Sequence, residues 1–344
     1  MTRSNSRPWE SGLVSLAALV IVLAGMRAAV EIVVPFLLVL FIAILCAPAV
    51  EWLTAKGLGR GTAVGVVLGV FIVIELLLVA ALGGAYERFS EALPFYEQRF
   101  ASLTEEATGL LQRFGIRIDP RRMVGALDMS AVMVAVRDLL VSVGGALTNS
   151  FLILLLVIFL LLEAPALNDR LAADDGSGRR LPDLAGLFQG INRYMAMKAL
   201  IGALTGITDA VALWLLGVDF PLLWGFLVFV LHFIPNIGSI IATIPPVLLA
   251  LVQLGPWSAL AVLVVFLVID MILSNVLEPR LLARGLGMSS LVVLLSLVFW
   301  GWLLGPVGML LSVPLTMAVK LALEARPETR WAGQLLGAND AAAQ

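Results

Sequence analysis

Long apolar runs separated by short polar clusters dominate this chain. Gly12 to Met26 and Ile32 to Val50 are apolar, with Arg27 and Glu31 between them. This predicts two membrane helices joined by a very tight turn, with Arg27 and Glu31 placed to pair on one helix face. Gly61 to Ala85 predicts a third span, which carries Glu75. A fourth ends near Leu162, and Ala199 to Val218 forms a fifth with Asp209 near its middle. Pro256 to Leu277 is a further span bearing Asp270, Ser274 and Asn275, closed by Glu278–Pro279–Arg280. Two more stretches, Phe220 to Leu254 and Gly285 to Val319, are each 35 residues long and almost wholly apolar, yet broken by Pro and Gly.

Residues 86–147 differ in character, with seven Arg and eight Asp or Glu. Apolar residues at Phe89, Leu93, Tyr96, Phe100, Leu103, Ala107, Leu110 and Phe114 alternate steps of four and three, a coiled-coil-like seam. Asp119 before Pro120 suits an N-cap followed by Pro at the first helical position. A second helix then carries Val132, Val136, Leu139, Val143 and Leu147 into the fourth span. The segment is expected to form a helical hairpin outside the membrane. Its seam needs a partner: its own second helix, the membrane face or another subunit. Residues 163–183 read as a solvated loop. Leu184, Leu187, Phe188, Ile191, Tyr194 and Met195, with Arg193 and Lys198 nearby, predict an interfacial helix before the fifth span.

The two 35-residue runs share a pattern. The first has Pro235-x-x-Gly238 and then Pro245; the second has Pro306-x-Gly308 and then Pro314. Leu216–Gly217 precedes one and Leu286–Gly287 the other, and the offset is near 70 residues throughout. A helix with an aspartate leads into each, Asp209 in one case and Asp270 in the other. Each Pro removes a backbone donor and clashes with the turn before it. In lipid the freed carbonyls need partners inside the protein or in a wet cavity. Each arm has room for about 17 residues, roughly 26 Å of helix against a hydrocarbon core of about 30 Å. Re-entrant hairpins and paired short spans both fit, and in either case the tips are expected to meet near the midplane.

Composition agrees with a membrane protein. The chain of 344 residues is 61% hydrophobic and 13% charged, with a mean hydropathy of +1.04. A soluble domain has roughly 25% charged residues. The net charge of −2 excludes a basic nucleic-acid binder. The single cysteine, Cys46, sits in an apolar run and has no partner for an internal disulfide. Arg3 and Arg7 precede the first run with no cleavage-site pattern, so that run is expected to remain as a membrane helix. With both termini cytoplasmic, alternation places nearly all short-loop Lys and Arg inside, in line with the positive-inside rule. The two 35-residue runs then start from opposite faces, an inverted repeat of the kind secondary transporters use.

The residues argue against an enzyme. The single histidine, His232, excludes a HExxH metal site, and no phosphate-binding loop or nucleophile with a paired base is present. No cofactor is expected. Polar groups at membrane depth remain. Pro235, Asn236 and Gly238 are expected at the first tip, Pro306 and Gly308 at the second, with Asn275 alongside, as groups that bind a small polar solute. Asp209, Asp270 and Glu278 are candidate sites for a coupling ion, H⁺ or Na⁺, since an intramembrane carboxylate exchanges both. The competing roles are a plain turn for the tips and helix-packing hydrogen bonds for the aspartates. For Glu278 the alternative is a surface pair with Arg280 or Arg284. A passive channel or an oligomeric scaffold built on the external hairpin is the reading from another class.

Three blocks, HFIPNIGSIIATIPPVLLALVQLG, SNVLEPRLL and LGMSSLVVLLSLVFWGWLLGPVGMLLSVPL, resemble the signature regions of the autoinducer-2 exporter (AI-2E) family, the PerM-type permeases. Tyr194, Lys198, Gly202 and Gly206 are similar to its lead-in, and the likeness covers about 190–323. The N-terminal half is similar in layout only, and Asn236 and Ser239 depart from the common pattern. The resemblance implies a multi-pass inner-membrane protein of about eight spans that forms homo-oligomers. It implies export of the furanone signal autoinducer-2, or Na⁺(Li⁺)/H⁺ antiport. A neutral hydroxylated signal calls for Asn236 and Asn275; cation exchange calls for Asp209, Asp270 or Glu278.

The expected organisation is all-α and polytopic. Residues 1–85 hold spans one to three, 86–147 the external hairpin and 148–168 span four. Residues 169–198 hold the cytoplasmic loop and interfacial helix, 199–323 the transport core and 324–344 a cytoplasmic tail.

Overall fold

The computed structural model describes residues 8–113, 151–172, 184–281, 288–324 and 329–337, and these are helical apart from turns and one isolated bridge between Met288 and Gly337. Among them, four helices are long and apolar enough to cross a membrane: Val30–Ala55, Arg60–Ala81, Gly190–Leu216 and Pro256–Leu281. Four shorter apolar helices accompany them, Leu152–Glu163, Pro221–Leu231, Gly238–Leu254 and Leu291–Leu304. The protein is a polytopic helical membrane protein.

Helices α1 (Pro8–Ala28) and α2 (Val30–Ala55) meet at Ala29. The tight reversal expected there is absent. The Ala29 N–H still donates to Gly25 O, and Val33 N–H to Ala29 O, both at 2.9 Å. Leu23, Met26, Val30, Val33, Val34 and Leu37 continue one stripe across the joint, packed on Trp300, Leu303 and Leu304. The chain bends at Ala29 and does not turn back, because Arg27–Ala28–Ala29–Val30 offers none of the usual reverse-turn residues. Arg27 also does not pair with Glu31. Its guanidinium donates to the carbonyl of Trp302 and lies 5.0 Å from the centre of that indole.

Helix α3 (Arg60–Arg113) has 54 residues, about 80 Å of continuous helix. The third span and the first arm of the external hairpin are therefore one rod, with Pro94 inside it. The second arm, at 120–147, lies outside the described residues. One seam residue finds its partner within the chain: Tyr96 is buried in a core with Leu223, Trp224, Leu249 and Ala250. Helix α4 (Phe151–Ala172) packs with α2 and α3 around Val39, Cys46, Val64, Leu68 and Val157. Helix α5 (Leu184–Leu216) merges the expected interfacial helix and fifth span into one 33-residue element.

The first Pro-rich run folds as a hairpin of α6 (Pro221–Leu231) and α7 (Gly238–Leu254). Its arms are about 16 and 26 Å long, both short of the roughly 30 Å hydrocarbon core. Gln253 fastens its base: the Asp219 N–H donates to Gln253 Oε1 at 3.0 Å, and Gln253 Nε2 donates to Gly217 O at 3.1 Å. Asp219 also accepts from Tyr96 Oη at 2.7 Å through its carboxylate and from Trp224 Nε1 at 3.0 Å through its carbonyl. Helix α8 (Pro256–Asp270) follows, then a π-helical segment (Met271–Leu277) and the short α9 (Glu278–Leu281).

The second run folds as α10 (Ser290–Leu304), α11 (Pro306–Leu310) and α12 (Ser312–Glu324). Trp300 Nε1 donates to Thr316 Oγ1 at 2.9 Å and pins its two arms together. A short α13 (Arg330–Leu335) packs on α12.

Candidate functional site

The tip of the first hairpin is built by its own sequence. Helix α6 ends at Leu231, and His232 to Ile237 form the turn. Pro235 contributes no backbone donor, and Asn236 takes a left-handed conformation, φ 60°, which Asn tolerates better than most residues. A Cβ on Gly238 would overlap the carbonyl oxygen of Leu231, so the returning helix starts where no side chain fits. Gly308 has the matching position in the second hairpin, against the carbonyl oxygen of Trp300. The Pro/Gly pattern of the two runs thus reflects the same packing device. The first tip packs beside the second hairpin. Phe233 of the first tip packs against Val293, Leu310 and Val313, while Trp300, Leu303 and Leu304 near the second tip pack on α1 and α2.

A cavity of about 400 Å³ opens at the first tip, walled by α5, the π segment and both arms of the second hairpin. Its lining includes Pro235, Asn236, Asp270, Asn275 and Glu278 from the sequence-predicted set. Asp209, Gly238, Pro306 and Gly308 are not among the lining residues. Tyr194, Lys198, His232, Ser239 and Ser274 join the polar wall, and Met288, Val293 and Val313 supply an apolar one.

The π segment explains how one helix turns so many polar groups inward. Pro279 lacks an N–H and its ring crowds the carbonyl four residues back, that of Asn275. The backbone widens in response, and the Glu278 N–H bonds to Leu273 O, five residues back. Asp270, Ser274, Asn275 and Glu278 then all reach the cavity. Such π segments recur at functional sites.

Glu278 is the centre of a buried ionic cluster. Its Oε1 lies 2.6 Å from Lys198 Nζ, and its Oε2 lies 3.3 Å from His232 Nε2. The second contact has the distance of an ion pair without hydrogen-bond geometry, and His232 Nε2 has no hydrogen-bond partner. The arrangement replaces the surface pairing with Arg280 or Arg284 weighed from sequence. Gly202 makes room for the histidine, since a Cβ there would come within 3.2 Å of the imidazole.

The aspartates differ. Asp270 accepts a 2.7 Å bond from Ser274 Oγ at the cavity wall. Asp209 is 3% exposed, and its Oδ1 has no hydrogen-bond partner. The two lie within electrostatic reach across the α5–α8 contact.

Sequence reasoning left Lys198 at the interface, and it passed over Asp219 and Gln253. The one usable signal for the cluster was Lys198, a cation just inside a long apolar helix. No groups of three or more His, Cys, Asp or Glu suited to a metal occur among the described residues.

Residues 16–328 match the family model described as AI-2E family transporter. The AI-2 transport protein TqsA of Escherichia coli (strain K12) is 41% identical over 315 residues, 91% of this chain and 91% of TqsA. YhhT of the same organism is 36% identical over 313 residues, 91% of this chain and 90% of YhhT. PerM, also of that organism, is 29% identical over 325 residues, covering 84% and 87% of the two chains.

Proposed function

The chain belongs to the AI-2E family of transporters, and on that premise we propose that it is a secondary exporter of a small, uncharged, hydroxylated solute of the autoinducer-2 type. The membrane would be the bacterial cytoplasmic membrane. The observation that carries this reading is the cavity. Asn236, Ser239, Ser274 and Asn275 offer it amide and hydroxyl groups, while Lys198 and Glu278 neutralise each other. Such a lining offers hydrogen bonds to an uncharged solute with several hydroxyl groups, and Asp270 adds a carboxylate for a coupling ion. A volume of about 400 Å³ lies within the range of small-molecule sites, roughly 300–1,000 Å³.

In this reading Pro235, Asn236 and Asn275 contact the solute. Gly238, Pro306 and Gly308 shape the two hairpin tips whose relative movement exposes it to alternate sides. Asp209, Asp270 and Glu278 serve the coupling ion, H⁺ or Na⁺. The name of its relative TqsA, an AI-2 transport protein, supports the solute class.

The test is flux of autoinducer-2 in proteoliposomes under an imposed proton or sodium gradient. Uphill movement is expected, and substituting Asn275→Ala should weaken apparent affinity. Movement that only ever runs downhill would identify a channel. No movement of autoinducer-2 would reject the solute class.

A further inference from the structure

We propose that Lys198, Glu278 and His232 form a proton-binding site in the cavity wall, with His232 Nε2 as the atom that takes up and releases the proton. The Glu278 carboxylate bridges the other two, one oxygen to each. Lys198 already neutralises that carboxylate at 2.6 Å, so the imidazole is a third member whose charge is optional. His232 Nε2 is buried, has no hydrogen-bond partner, and sits 3.3 Å from Glu278 Oε2.

With the neutral ring in its Nδ1–H form, Nε2 beside a carboxylate oxygen places two acceptors face to face. One proton on Nε2 turns this contact into a charge-assisted N–H···O bond, the stronger kind. The contact is slightly longer than the ordinary N–H···O range of about 2.7–3.2 Å, so protonation can shorten it. The ring is closely packed, because Gly202 lies against it.

Among the described residues of the wall, helix α5 presents Tyr194 and Lys198, the α8–α9 segment presents Asp270 and Glu278, and the second hairpin presents Met288, Val293 and Val313. Asp270 is engaged by Ser274. Proton uptake is a simple transfer from cavity water to Nε2, with no other bond made or broken, and it takes the cluster from zero to one positive charge. That this proton drives transport rests on the function proposed above; that it binds does not.

His232 is the only histidine in the chain, so full-length protein labelled with ¹⁵N-histidine in lipid nanodiscs gives one imidazole signal. The expected result is passage between the singly and doubly protonated forms within about pH 5–8, the window where histidine serves as a switch. In Glu278→Gln the midpoint should fall by about one pH unit or more, since a facing carboxylate favours the imidazolium. If the imidazole signal stays in one form across that range, or titrates identically in Glu278→Gln, the proposal is overturned. If it titrates as expected while reconstituted wild-type protein moves no autoinducer-2, the proton site stands and the transport reading fails.

Discussion

Lys198 and Glu278 meet at 2.6 Å, Nζ to Oε1, and this contact ties the middle of α5 to the start of α9. Each side chain is only about a tenth exposed. Removing one partner of a buried pair strands the other charge, at a cost of about 3–5 kcal/mol. Because this pair borders a cavity, the lower end is expected for Lys198→Met and for Glu278→Leu alone. The double variant Lys198→Met/Glu278→Leu should recover part of the loss, since no charge is left unpaired. Thermal unfolding of all four proteins in one detergent, read as a double-mutant cycle, checks this; additive losses would mean the two side chains do not interact.

Gly206 of α5 and Gly225 of α6 bring the two backbones into direct contact. A Cβ at either position would overlap the carbonyl oxygen of the other. Small residues at such crossings are the common device for packing membrane helices. The obstacle is backbone, so a rotamer change cannot relieve it. Gly206→Ala is expected to cost about 1–3 kcal/mol, as overpacking does, and Gly206→Leu to abolish a monodisperse peak in gel filtration. Survival of the leucine variant with an unchanged melting temperature would show that α5 and α6 do not pack this way.

Tyr96 donates from its hydroxyl to Asp219 Oδ2 at 2.7 Å, at the base of the first hairpin. Burial first, then the Asp219 hydrogen bond and charge, push its phenol above the usual tyrosine range. In the unfolded chain the phenol ionises near pH 10. The stabilisation is therefore complete below about pH 10 and is lost as pH rises toward the higher folded value. Tyr96→Phe should cost about 1.5–3 kcal/mol at pH 8, the range for a hydrogen bond to a charged group. The gap between variant and wild type should narrow at about pH 11. Chemical denaturation at both pH values measures it, and a gap that widens with pH would contradict the sign.

Local pattern and long-range pairing differ in how far the sequence disclosed them. Pro235, Gly238, Pro306 and Gly308 marked both hairpins, because a missing donor and a missing Cβ are properties of single residues. The bend at Ala29 was misread because the charges of Arg27 and Glu31 resemble a loop, whereas the residues themselves are helix-compatible and Arg27 satisfies itself on Trp302. The π segment was foreshadowed only by Pro279, whose effect falls on the turn before it. The Lys198–Glu278–His232 cluster joins three separate elements, and no spacing rule connects them. Asp219 and Gln253 were equally silent, since their latch exists only once α6 and α7 fold back together.

Asp209 and Asp270 looked equivalent as intramembrane aspartates, and the structure separates them. Asp270 lines the cavity and accepts a hydrogen bond from Ser274. Asp209 is buried behind it with one oxygen unpartnered. Asp270→Asn is expected to reduce gradient-driven autoinducer-2 flux by about tenfold or more, the equivalent of about 1.4 kcal/mol. Asp209→Leu removes an unsatisfied buried atom, whose burden is typically about 1–3 kcal/mol, and should raise thermal stability. Its flux should fall less than that of Asp270→Asn, because the cavity wall is left intact. Flux and melting temperature measured on the same preparations separate the two effects. An equal loss of flux in both variants, with no gain in stability for Asp209→Leu, would assign the ion site to the pair of aspartates acting together.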